Sequence, residues 1–311
     1  MNFPFTLPGG REFDVAGFGT NAVDFLIRVP EYPAFNSKVE LTDYVQAPGG
    51  EIATTMAGLQ RLGLSTCYAG RFGDDAAGEF GLASLRSEGV DVSFIEVVPG
   101  AQTQIAFIVI DELSGERTVI WKRDAKLAYT IKEVPTSVVE RARVLHLTPH
   151  DAEACISLAK RAKEVETIVS VDLDNIFNGL DDLLPLVDIL ITSAELPGRM
   201  FGIDDKKEAL NAMRARYDSA VVGITLGENG SLLLCGDEFI LTPGFAVPGG
   251  CKDTTGAGDS FRTGLLYGLI RGESIEESSR MANAVAALKC RAVGARTSLP
   301  TSSELKEMLK K

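Results

Sequence analysis

Apolar residues recur along this chain at two spacings, and the switch between them predicts its architecture. Phe13–Phe18 is a short apolar run ending in Gly17-Phe18-Gly19, which reads as a core strand. Residues 38–45 alternate in character (Val39, Leu41, Asp43, Val45), the pattern of a half-exposed strand. Pro48-Gly49-Gly50 then breaks the chain before a helix-periodic segment, 52–62. Residues 66–70 read as strand and 76–88 as helix. Two β-rich runs, 103–110 and 117–122, flank a polar loop containing Gly115, which predicts a hairpin.

From about residue 140 the rhythm changes. Strands at 143–147, 167–172, 187–191 and 219–225 are interleaved with helices at 151–163, 194–201 and 205–215. Such alternation predicts βαβ units and a parallel sheet. Short strands at 231–235 and 238–241 follow, then long helices at about 257–271 and 275–289, then a charged terminal helix. There is no internal repeat and no Pro/Ser-rich linker. The expectation is one α/β domain over residues 1–311, its mostly parallel central sheet flanked by helices. The β-only stretches at about 25–48 and 101–123 are expected to project from it as a small β-sheet lid.

Composition narrows the function. With 311 residues, 45% of them hydrophobic, the chain can bury a sizeable core. It has no uninterrupted apolar run of spanning length and its N-terminus does not read as a signal peptide, so no membrane partner and a cytoplasmic location are expected. A net charge of −12 with no dense Lys/Arg run argues against nucleic acid as a partner. Phosphate ligands stay open, because backbone amides bind phosphate without net positive charge. The five cysteines are far apart and form no CxxC pair, which predicts free thiols in a reducing compartment. His146 and His150 have the spacing of a helical metal pair, but the Val144-Leu145-His146-Leu147 run reads as a strand, so no metal is expected between them.

The segment richest in chemistry is Asp253-Thr254-Thr255-Gly256-Ala257-Gly258-Asp259. Small residues precede an acid, and a helix-periodic run follows (Phe261, Leu265, Leu266, Leu269). Gly256 and Gly258 permit close backbone approach, so free amides at a helix start can face an anion, helped by the helix dipole. An acid adds nothing to phosphate holding. It is what phosphoryl transfer needs if it accepts the proton of the attacking hydroxyl.

This segment resembles the second signature of the ribokinase-like, or PfkB, carbohydrate kinases, and the resemblance runs along essentially the whole chain. Gly49-Gly50-Glu51-Ile52-Ala53-Thr54-Thr55 with Leu59-Gln60-Arg61-Leu62-Gly63 is similar to the first signature, and Arg71-Phe72-Gly73-Asp74-Asp75 to its continuation. Thr225-Leu226-Gly227-Glu228-Asn229-Gly230 resembles the nucleotide-binding turn; Ala282-Asn283-Ala284 and Gly294-Ala295 resemble the C-terminal elements. The resemblance implies a Rossmann-like ribokinase fold with a β lid and ATP-dependent phosphorylation of a sugar hydroxyl, a ketose or pentose first. Asp259 would be the base, and the amides of Gly256, Ala257 and Gly258 the anion hole. Thr225, Gly227, Glu228, Gly230 and Asn283 would contact ATP. Asp24, Gly49, Gly50, Glu51, Thr54 and Arg123 would hold the sugar. Asp253, Thr255, Gly294 and Ser298 would surround a monovalent cation, K⁺. A homodimer would form through the lid, whose apolar face needs cover.

Three departures from the family pattern bear on this. The Asn-x-x-Glu motif that organises Mg²⁺ is represented by Thr192-Ser193-Ala194-Glu195, which leaves Ser193 and Glu195 to serve Mg²⁺ and phosphate. Glu51 and Thr54 stand where sugar-gripping Asn residues are usual. At a helix N-terminus Glu51 is expected to be ionised, so it would favour neutral sugars. Arg117, Lys122 and Arg123 flank a lid strand, either as a solvated edge or facing an anionic substrate. Nucleoside or 2-keto-3-deoxygluconate kinases of the same fold, and a non-catalytic sugar-binding regulator, are the competing readings.

Overall fold

The computed structural model describes residues 1–310. The first half of the chain forms β1 (Phe13–Phe18), β2 (Ala22–Val29), β3 (Asp43–Gly49), α1 (Glu51–Arg61), β4 (Thr66–Gly73), α2 (Ala76–Ser87), β5 (Asp91–Val98), β6 (Ile105–Asp111) and β7 (Arg117–Lys122). The second half begins with α3 (Ser137–Glu140), β8 (Ala142–Leu147), α4 (Ala152–Glu164), β9 (Ile168–Leu173) and α5 (Leu180–Leu183). It continues through β10 (Ile189–Ser193), α6 (Leu196–Phe201), α7 (Lys206–Tyr217), β11 (Val221–Thr225), β12 (Ser231–Cys235) and β13 (Glu238–Thr242). Three helices end it: α8 (Ala257–Arg271), α9 (Ile275–Lys289) and α10 (Ser302–Met308).

Nine strands make one sheet in the order β13-β12-β11-β10-β9-β8-β1-β4-β5. Pairing is parallel from β5 through β11; β12 and β13 close one edge antiparallel. Both faces of this sheet are covered, which explains why its strands are near-continuous apolar runs. Alternate residues serve the two faces. Ala16, Phe18, Leu145, Val169 and Leu190 pack with α4 and α7, while Val15, Val144, Ile168 and Ile189 pack with α1, α8 and α9. On that second face α8 and α9 lie very close. A Cβ on Gly264 would sit 2.5 Å from Ala282 Cα, and one on Gly268 would sit 2.7 Å from Ser278 Cα.

The smaller sheet has the order β3-β2-β6-β7. Leu26, Ala47, Ala106, Ile108 and Ile110 form its own apolar cluster on the face turned inward. The expected strand at 38–45 proves to begin at Asp43 and run to Gly49, so Pro48 falls inside it; an edge strand tolerates the missing amide. Two strands escape the periodicity argument. β5 is an edge strand with Asp91, Ser93 and Glu96 in it and little burial, and β2 is covered on both faces at its start, which removes alternation.

The large sheet places its chemistry at one edge. Strand order runs outward in both directions from β1 and β8, and the carboxyl ends of the parallel strands open into a crevice there. The small sheet stands over that crevice. Because the α8–α9 contact has no room for a methyl group, Gly264→Ala should lower unfolding stability by about 1–3 kcal/mol. Urea denaturation followed by circular dichroism checks this; an unchanged midpoint would mean the two helices are not in this close contact.

Candidate active site

A cleft of about 480 Å³ lies between the strand ends and the small sheet. Strand termini supply its floor: Thr20 after β1, Asp172 and Asp174 at the end of β9, Ser193 at the end of β10 and Thr225 at the end of β11. Gly50 and Glu51 enter from the start of α1, and Gly256, Gly258 and Asp259 from the start of α8. Asp24, Ala106, Ile108, Arg117, Val119 and Trp121 line the roof. They share one face of the small sheet because its register pairs Asp24 with Ala106 and Ala106 with Trp121.

The anion loop takes its shape from Asp253, which has no solvent exposure. Its Oδ1 accepts from the Thr255 amide and its Oδ2 from the Gly294 amide, both at 2.8 Å. Gly256 then turns the chain with φ +77° and packs so closely that a Cβ would meet Ala295 Cβ at 2.9 Å. The Ala257 amide donates to Thr254 O at 3.0 Å, so it is spent inside the turn. Of the three amides expected to form the cradle, those of Gly256 and Gly258 have no acceptor among the described residues. From above, Arg117 of β7 donates to Thr254 Oγ1 at 2.6 Å, tying the small sheet to this loop.

Five carboxyl groups share the cleft: Asp24, Glu51, Asp172, Asp174 and Asp259. Burial pushes Asp259 up to about 6; Arg262 opposes this and Asp174 adds to it. Burial likewise raises Asp24 to about 6, against Arg296. Asp172 is raised to about 7, again by burial, although Arg262 lies only 2.5 Å from its Oδ1. Glu51 goes well above the usual carboxylate range, through burial and then the charges of Asp174, Asp172 and Asp259. Burial and the neighbouring acids therefore work against the ionised Glu51 that its helix position alone favours. A helix N-terminus favours a carboxylate by about 0.3–1 kcal/mol, and one pKa unit already corresponds to 1.36 kcal/mol. Burial among three other acids wins.

Glu51 accepts from Thr20 Oγ1 at 3.3 Å, and its Oε2 lies 3.8 Å from His150 Nδ1. His150 packs against Trp121 and Phe177, with ring centroids 6.1 and 5.0 Å away, so one wall of the cleft is aromatic. His146 lies apart, inside the sheet, with Nδ1 3.1 Å from Ser170 Oγ.

Several expected residues stand elsewhere. Arg123 makes a two-pronged ion pair with Asp151, at 2.9 and 2.7 Å, and does not line the cleft. Thr54 is wholly buried beneath Arg296, and Gly49 backs onto the Asp24 carboxylate with its carbonyl held by Arg296. Glu195 is exposed and lines a separate cavity of about 270 Å³, leaving Ser193 alone of that pair in the cleft. Asn283 is buried, and its amide donates to Ser231 Oγ and Thr242 O at 3.1 Å. Gly230 closes the same hairpin, and Gly227 and Glu228 occupy an exposed turn after Thr225.

Among the residues expected to surround K⁺, Asp253 meets a buried side chain. Lys289 is wholly buried; its Nζ donates to Asp253 O at 2.8 Å and lies 3.7 Å from Asp253 Oδ2. Ser298 Oγ donates to the Lys289 carbonyl. Asp172, Asp174, Arg262 and Lys289 were not anticipated from the sequence. The available signal was for Asp172 and Asp174, acids placed where a buried parallel strand ends.

Comparison with known proteins agrees with this geometry. Residues 14–302 match the pfkB family of carbohydrate kinases. Fructokinase-1 of Zea mays is 30% identical over 332 residues, covering 98% of this chain and all of its own. A ribokinase of Haemophilus influenzae is 27% identical, covering 94% of this chain and 96% of its own. The structure of an Arabidopsis thaliana ribokinase with ribose and ATP has a TM-score of 0.81 over 96% of this chain and 99% of its own; at 23% identity that likeness establishes the fold. A family match spanning both sheets and every strand end that floors the cleft places the chain in the pfkB carbohydrate kinase family, as an ATP-dependent kinase.

Proposed function

We propose that this kinase transfers the γ-phosphoryl group of ATP to a hydroxyl of a neutral ketose or pentose, with Asp259 as general base. The observation that carries this reading is the placement of the Asp259 carboxyl directly after the unpaired amides of Gly256 and Gly258, in a cleft whose opposite wall holds Asp24. The acceptor hydroxyl gives its proton to Asp259 while its oxygen bonds to the γ-phosphorus. The bond from that phosphorus to the β–γ bridging oxygen breaks, and ADP leaves. The amides and the α8 dipole take up negative charge on the group in transfer. Arg262 and Arg117 pull the Asp259 pKa down against burial, which keeps the base ionised at neutral pH.

ATP would lie along the ends of β10 and β11, past Ser193 and Thr225 to the turn at Gly227. Mg²⁺ would accompany its phosphates, and of the cleft carboxylates Asp174 would be the one free to hold it, since Asp172 is paired with Arg262. Asp24 and Glu51 would hold sugar hydroxyls. So many acids disfavour an anionic acceptor such as 2-keto-3-deoxygluconate, and identity to a fructokinase favours a ketose. The aromatic wall of Trp121, His150 and Phe177 supports a second reading, a nucleoside whose base stacks there.

The outer face of the small sheet carries Phe25, Ile27, Tyr44, Phe107 and Ile120, with Tyr44 64% and Ile120 58% exposed. A patch of this kind is covered by its own copy in a two-fold dimer. Phe107→Glu should convert a dimer to a monomer in sedimentation analysis, and a native chain that sediments as a monomer rejects the arrangement.

A coupled ADP-release assay with fructose, ribose, adenosine and 2-keto-3-deoxygluconate should give the highest kcat/KM with fructose or ribose. Preference for adenosine would select the second reading, and preference for the acidic sugar would reject both. With the true acceptor, kcat/KM should fall about tenfold per pH unit below pH ~6, where Asp259 takes up its proton. Asp259→Asn should lose about 10²-fold or more in kcat with little change in KM for ATP; near-normal turnover would sink the mechanism. The same substitution has an opposite effect on stability. A folded pKa raised above 3.8 means a destabilisation that is absent below that value and complete above about 6. Asp259→Asn should therefore stabilise the fold by roughly 1–3 kcal/mol at pH 8 and by nothing at pH 4. Equal midpoints at pH 8 would show that Asp259 is not held in a desolvating site.

A further inference from the structure

We infer that Lys289 is a built-in replacement for a monovalent cation, so that this kinase holds its anion loop in shape without K⁺. Relatives sharing the Asp253, Thr255, Gly294 and Ser298 pattern surround an ion there, by the resemblance that the sequence carries. In this chain an ammonium stands against Asp253. Lys289 is the last residue of α9 and has no solvent exposure. Its Nζ donates to the Asp253 carbonyl at 2.8 Å and stands 3.7 Å from Asp253 Oδ2. The Asp253 oxygens themselves fix Thr255 N and Gly294 N, the two chain segments that frame the anion loop. Ser298, expected to be a ligand, is instead bonded to the Lys289 carbonyl.

Charge opposes a second cation. Asp253 supplies one negative charge, and the ammonium already offsets it in a dry pocket, where like charges repel strongly. A lysine buried to this degree needs such a partner, and Asp253 is the carboxylate within reach. An ion on a loop exchanges with solvent, whereas a tethered ammonium is always present. The loop is then formed at any K⁺ concentration.

The inference uses the reading of Gly256–Gly258 as the anion loop, but its test includes a readout taken without nucleotide or sugar. Rates and thermal midpoints are measured in tetramethylammonium chloride and in KCl at equal ionic strength, for the native enzyme and for Lys289→Ala. The native enzyme should show the same rate and the same midpoint in both salts. Lys289→Ala should melt lower and turn over roughly tenfold or more slowly in tetramethylammonium, and K⁺ should raise both its midpoint and its rate by filling the vacated space. Lys289→Met fills that space with a neutral chain; it should be slow in both salts and gain nothing from K⁺. Stimulation or thermal stabilisation of the native enzyme by K⁺ overturns the inference. So does a native rate in tetramethylammonium for either variant. Should neither variant fold, the two-salt comparison on the native enzyme decides alone.

Discussion

Asp253 has no water around it, and both of its carboxylate oxygens are taken by backbone amides, those of Thr255 and Gly294. Hydrogen bonds to a charged group contribute about 1.5–3 kcal/mol each, and here they join two stretches of chain that meet only in the folded state. The bend at Gly256, its close packing on Ala295 and the direction of the free amides follow from that clasp. An unpaired carboxylate could not be buried this way, because the desolvation of a lone ion is several kcal/mol even after relaxation. The Lys289 ammonium makes the burial tolerable. Loop, clasp and ammonium form one unit, and Asp259 rides on the helix that the unit starts.

The cleft works in the opposite sense. There carboxyl groups accumulate without enough cations, and burial raises Asp24, Asp172, Asp259 and Glu51 above their ordinary range. Such crowding opposes folding stability at neutral pH and suits catalysis. A base whose pKa is about 6 binds a proton more readily than a free aspartate and is still ionised at pH 7. In the proposed reaction, a metal ion carried with ATP would bring positive charge and the acceptor's hydroxyls would bring donors, relieving part of the crowding. Arg262 holds the balance, lying 2.5 Å from Asp172 and acting on Asp259 from one helical turn away.

How much of this the sequence discloses depends on whether the cause is local. β1 was legible to the residue, since a strand covered on both faces is an unbroken apolar run. Asp259 and its glycines were legible because a tight turn and a helix start are short-range features. Arg262, Asp172 and Asp174 were not, because β9 meets α8 only through the order of strands in the sheet. Lys289 follows Leu288 at the end of an amphipathic helix, where a basic residue ordinarily faces water. Arg123 and Thr54 stand outside the cleft for a related reason: each has a nearer partner, in Asp151 and Arg296. The upward push on the Glu51 pKa was not legible from its helix alone, since the acids that add to it come from β9 and α8.

The claim at the centre is that Asp259 meets the acceptor hydroxyl while the amides of Gly256 and Gly258 meet the γ-phosphoryl group. A crystal structure with a non-hydrolysable ATP analogue and the acceptor sugar tests it most directly. The account predicts an Asp259 oxygen within about 3 Å of one sugar hydroxyl and the terminal phosphate seated on those two amides. A complex in which the terminal phosphate lies away from the start of α8, or in which another side chain holds the reacting hydroxyl, would contradict it.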